Sequence, residues 1–184
     1  GSHFAAVVFD IGRILSQGGQ NSLGDTLAFY EEIIEQWPGK WGFVYNNAAL
    51  PARDLGVQIM RRAGDQEDEQ LRAAEAEAMA LWEKSYRYYE EAVRLTPDDP
   101  RIINDCGLML IYHLDRNFDR ARECFDLAIE VGQPQLDALP EDASRQERND
   151  LEEAVGDAWQ NIAVLMEQHL NRPYEEYEPF CRKA

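Results

Sequence analysis

Between Leu81 and Leu95, apolar side chains fall at Leu81, Trp82, Tyr86, Tyr89, Val93 and Leu95. Steps of mostly three and four residues put them on one face of a helix. The stretch that leads into this face, "QEDEQLRAAEAEAMALWEKSY", is rich in strong helix formers and contains no Gly or Pro, so one long helix is predicted there. Pro38 and Pro97 are predicted to stop the helices that precede them, because each biases the residue before it away from helical angles. Asp98-Asp99-Pro100 then reads as a helix start, with a carboxylate near the N-terminus and proline tolerated in the first turn. "GGQNSLGD" reads as a long turn between the first two helices, and "VGQPQLDALPEDASRQERND" as a polar, twice proline-broken loop running into a helix. Pro179 is expected to interrupt the last helix.

The helices share an ending. In "YYEEAVRLTPDDP" the residues Tyr89, Ala92 and Pro97 have the same spacing as Tyr30, Ile33 and Pro38 in "FYEEIIEQWPGK". Phe125, Ala128 and Pro134 follow it with the proline one residue late. Small residues recur in the partner helices at Gly12, Ala48, Gly107 and Ala163, where they would let two helices approach closely. The corner "HLDRNFDRA", starting at His113, returns as "HLNRPYEEY", starting at His169. A helical stripe that one partner cannot cover is buried when successive pairs stack.

This pattern resembles the tetratricopeptide repeat family, whose units are antiparallel helix pairs with a period of about 34 residues. "IINDCGLML" followed by "FDRARECFDLAIEVG" carries the resemblance best, with Gly107 in the first helix and Phe118, Ala121, Phe125 and Ala128 in the second. In "AWQNIAVLM", Trp159, Ile162 and Ala163 occupy the family's Trp, Leu and small-residue places. Residues 4–184 are thus expected to form one all-α domain, an α–α superhelix of about four pairs spanning roughly 4–38, 41–98, 99–134 and 150–184. Residues 1–3 read as the remnant of an expression tag. The departures are longer corners, filled by "LDRN" and "LNRP", and a large insertion in the second pair assigned to an elongated second helix.

Charge narrows the partners. Eighteen Lys and Arg against 35 Asp and Glu leave a net charge of −17, which repels phosphate backbones and anionic lipid. Nucleic acid and membranes are therefore not expected partners, and a basic or neutral protein or peptide is. "FAAVVF" is too short to span a bilayer. Cys106, Cys124 and Cys181 lack CxxC spacing and are odd in number, which points away from disulfides and zinc and toward a reducing, cytoplasmic setting.

Candidate chemistry comes from the repeat register. Two residues before each small residue stand Asp10, Asn46, Asp105 and Asn161. A carboxamide both donates and accepts, so it can satisfy both polar groups of an extended backbone, whereas a carboxylate only accepts. The resemblance implies that Asn46 and Asn161 form a peptide-gripping ladder on the concave face. Tyr45 and Asn104 lie one residue earlier, and Arg13, Arg53 and Arg101 lie nearby. The competing reading is that these side chains bond backbone or neighbouring helices inside the stack. His113 and His169 fall in no HExxH motif and read as helix C-terminal residues, with Arg116 and Arg172 bracing the corners. No Walker-type loop or nucleophile motif is present. The expectation is a non-catalytic binding scaffold without cofactor or metal. The alternative is a self-assembly or docking module of a larger protein, with Trp37, Trp41, Tyr174 and Phe180 as its contact edges.

Overall fold

The computed structural model describes residues 2–16, 22–64 and 68–184; the side chains of residues 2–4, 9 and 16 lie outside the description. The described residues are all-helical and include no strand: α1 (Ser2–Ser16), α2 (Ser22–Gln36), α3 (Gly42–Ala63), α4 (Asp68–Leu95), α5 (Pro100–Tyr112), α6 (Phe118–Asp137), α7 (Arg145–Val164) and α8 (Tyr174–Cys181). A π-helical turn, Leu165–His169, continues α7. Residues 18–21 of the predicted turn, and Gln66 and Glu67 at the start of the predicted long helix, fall outside the described residues, and the rest of that turn is corrected: Ser22, Leu23, Gly24 and Asp25 open α2. The chain divides into two compact units, Gly1–Leu95 and Thr96–Ala184.

In the first unit, α2 packs on both α1 and α3, and α3 on α4. Its core joins Val8 of α1, Leu27, Tyr30 and Ile33 of α2, and Val44, Ala48 and Ala52 of α3. Small residues set the close crossings. A Cβ on Gly12 would collide with the Tyr30 hydroxyl, and one on Gly56 would collide with the Trp82 indole. Trp82 uses that proximity to donate its indole N–H to the Arg53 carbonyl at 3.2 Å, and buried Ser85 donates to the Ala49 carbonyl at 2.8 Å. After α2 ends at Gln36, the chain turns through Gly39, whose φ of +66° suits glycine. The insertion in this pair is shared rather than carried by α4 alone: α3 runs 22 residues, through Pro51, and α4 runs 28.

In the second unit, α6 lies against α5 and α7, and α7 contacts α5 and α8. Asp99 caps α5 by accepting from the backbone N–H groups of Arg101 and Ile102. The α5–α6 crossing is built on Gly107, where an added Cβ would stand 2.7 Å from Phe125 Cε1 and 2.9 Å from Cys124 Cβ. Two proline expectations are corrected. α6 continues through Pro134 to Asp137, so the predicted loop shrinks to residues 138–144 before the Ser144 cap of α7. Packing outweighs the lost donor there: Gly132 lies against Val155 and Pro100, and Gln135 donates to the Asp98 carbonyl at 2.7 Å. α8 likewise runs across Pro179 to Cys181, its surface largely exposed so that water can reach the carbonyl the proline leaves unpaired.

Candidate binding surface

In the first unit, Asp10 and Arg13 stand exposed on α1, 3.9 Å apart. Tyr45 is buried at 7% exposure, and its hydroxyl accepts the Gly39 N–H at 2.8 Å. Its ring meets the edge of Tyr88. Asn46 is half-buried and donates to Asn47 Oδ1 at 3.3 Å, and Asn47 in turn donates to the Tyr30 hydroxyl at 3.1 Å. Arg53 pairs with Asp54 at 2.9 Å. Behind Tyr45, Glu31 accepts from both the Tyr88 hydroxyl and Lys84, each at 2.8 Å. Burial, the bond to Glu31 and the Glu31 charge raise the Tyr88 pKa far above the ordinary phenol value. Burial also raises Tyr30, against an opposing effect of the Asn47 hydrogen bond.

In the second unit the structure brings two candidates together. Asn161 and Asn104 are 6% and 3% exposed, and the Asn161 carboxamide donates to Asn104 Oδ1 at 3.0 Å while accepting from the Tyr112 hydroxyl at 3.2 Å. The pair thus joins α7 to α5 from within, with the half-exposed Tyr112 on its outer side. Burial, then the Asp157 carboxylate, raise the Tyr112 pKa. Asp157 is itself raised, by burial first and then by Glu153. Arg101 is exposed and faces Asp150 at 3.3 Å and Glu153 at 3.5 Å. Asp105 is half-buried on α5.

The repeated corner is a helix-ending device. Asp115 and Asn171, at matching places, have φ of +46° and +48°. Around them the backbone closes identically: Leu114 N–H to Met109 O and Leu170 N–H to Leu165 O, then Arg116 N–H to Leu110 O and Arg172 N–H to Met166 O. Acidic or amide side chains tolerate the left-handed region better than most, which suits these positions. The two corners also touch: His169 Nδ1 lies 3.1 Å from Asp115 Oδ1, with the imidazole against Phe118. His113 takes no part in that pairing; it forms the C-cap of α5, its backbone N–H bonded to the Met109 carbonyl. Among the described residues, no group of three or more His, Cys, Asp or Glu side chains is placed to hold a metal ion, and no helix is long and apolar enough to cross a membrane.

A scan against protein-family models matches none, and a search of curated proteins finds no match.

Sequence reasoning missed Tyr112 and Asn47, which complete the two amide networks, and the cleft around Thr26. Asn47 and Tyr112 carried a faint signal, since each is a polar residue within four positions of a core-facing small or apolar one. Their partners lie in other helices and left no local trace.

Proposed function

We propose that this chain is a non-catalytic scaffold, a tetratricopeptide-like α–α superhelix whose first helices present a groove for an extended peptide segment of a partner protein. The observation that carries this reading is the α5–α6–α7 arrangement. Two first-type helices lie side by side with a second-type helix against both, and residues in neighbouring register, Asn104 and Asn161, meet between them at 3.0 Å. Side-by-side first helices are what an inner repeat surface requires. Because Asn161 and Asn104 engage each other, they set the floor and spacing of the groove. Peptide contact is assigned to Asp105, Arg101 and Tyr112 in the second unit and, separately, to Asn46, Arg13, Asp10 and Arg53 in the first, whereas the buried Tyr45, held by the Gly39 N–H and the Tyr88 ring, braces α3 from within. The net charge of −17 favours basic or neutral peptides. The test is selection from a displayed random-peptide library, followed by calorimetry on the winners. Asn46→Ala, for peptides held by the first unit, and Asp105→Ala, for those held by the second, are each expected to weaken binding by ~3–10-fold, the scale of one amide or charge-assisted hydrogen bond. Winners that bind both variants as well as the parent chain would remove the groove assignment.

A second reading is favoured by one observation. Val7, Ile11 and Ile14 of α1 are 46%, 40% and 62% exposed, with Trp37 at 36%. An apolar edge of that kind suits docking to another domain or a second copy. Light scattering over a concentration series tests it, since an unchanged monomeric mass would remove self-association.

A further inference from the structure

Between α1, α2 and α3 lies a cleft of about 390 Å³, lined by Leu23, Thr26, Tyr30, Asn47, Leu50 and Pro51 among others. This is at the small end of ligand-binding cavities, roughly 300–1,000 Å³. Thr26 is 4% exposed, and among the described residues its buried Oγ1 has no hydrogen-bond partner. Most buried polar groups are paired, so an orphan hydroxyl on a cleft wall points to something that completes it. Tyr30 stands one helical turn along the same face. Its oxygen already accepts from Asn47 at 3.1 Å, which leaves the phenol hydrogen to be donated. Gly12 makes this possible, because any Cβ there would collide with the Tyr30 hydroxyl. On the third wall, Pro51 has no N–H to offer the Asn47 carbonyl four residues back, so the α3 ladder is open beside the cleft.

These groups ask for one acceptor and one donor close together, flanked by the apolar surface of Leu23, Leu50 and Pro51. The rim charges answer each other nearby, Arg13 with Asp10 and Asp54 with Arg53, so no net charge is demanded of the occupant. We propose that the cleft binds a neutral amide with an aliphatic side chain, as presented by a leucine-like residue of an extended peptide. Its carbonyl takes the Tyr30 hydrogen, its N–H reaches Thr26 Oγ1, and its side chain covers Leu50 and Pro51. The inference deepens the groove reading and rests on it.

The probe is N-acetyl-leucine N-methylamide, titrated into the full isotope-labelled chain and followed by nuclear magnetic resonance. Saturable shifts at Thr26, Leu23 and Leu50 are expected. Thr26→Val and Tyr30→Phe should each weaken binding by ~3–10-fold, the value of one hydrogen bond. N-acetyl-leucine should bind more weakly than the neutral probe, because its free carboxylate loses water in a cleft whose rim charges are already paired. Circular dichroism is the check that both variants fold. Shifts confined to other surfaces, affinity unmoved by both variants, or equal binding of the charged probe would overturn the assignment. The two readings fail separately. Library-selected peptides that ignore Thr26→Val remove the cleft and leave the groove, whereas probe binding without any selected peptide removes the groove and leaves the cleft.

Discussion

Single small residues decide where helices meet, and two of them predict opposite outcomes for the same substitution. Gly107→Ala would press a methyl group to 2.7 Å from Phe125 and 2.9 Å from Cys124, both buried. Overpacking of this kind costs about 1–3 kcal/mol, read as a fall in the urea midpoint. Among the described residues, nothing lies within 4 Å of a Cβ added to Gly24, which is also helical. Gly24→Ala should therefore stabilise by about 0.5–1 kcal/mol through backbone entropy and helix propensity. At the corners, Asn171 holds φ at +48°. Asn171→Val forces a β-branched residue into the left-handed region and should cost about 1–2 kcal/mol, leaving helix content by circular dichroism intact. The small residues and repeated corners were legible in the sequence because they recur. The orphan hydroxyl of Thr26 was not, since a threonine in a helix looks the same whether or not anything answers its side chain.

At the scale of elements, terminators were read correctly where nothing opposed them. α2 ends at Gln36 before Pro38, α4 at Leu95 before Pro97, and Asp99 caps α5. They were misread at Pro134, where tertiary contacts outweigh one missing hydrogen bond. The last turn of α6 is held by Gln133 to Asp137 at 2.8 Å and Gln135 to the Asp98 carbonyl at 2.7 Å. Pro134→Ala restores a donor to a turn already fixed, so it should raise the thermal midpoint by a few degrees, as about 1 kcal/mol does in a chain of this size. An unchanged or lowered midpoint would show that the proline contributes packing or limits the unfolded chain. Likewise, the repeat register offered Asn104 and Asn161 as groove candidates but could not say that they are buried against each other, because the contact joins α5 to α7, which are separated in the chain by α6.

At the scale of the whole molecule, ionisation sets the conditions under which the fold persists. Tyr30, Tyr88 and Tyr112 all have pKa values raised above 10.0, burial being the first cause for each. The folded state keeps these phenols neutral when the unfolded chain ionises them, so their contribution is full below pH 10.0 and is lost as pH rises through the folded values. Alkaline denaturation followed by phenolate absorbance should show Tyr30 and Tyr88, the less accessible two, titrating together with loss of helix, after the exposed tyrosines. The net charge of −17 adds self-repulsion, so raising salt from low to roughly 0.5 M should increase stability by screening.

Peptide recognition by the faces of the first helices is most directly tested by hydrogen exchange on the chain with and without a library-selected peptide. Slowed exchange is expected near Asn46 in α3, or near Asp105 and Tyr112 in α5 and in the adjoining α7, according to the unit that holds the peptide, with α4 and α6 unchanged. Protection confined to α4, α6 or the α1 edge around Val7, Ile11 and Ile14 would contradict the groove and leave docking through an outer surface in its place.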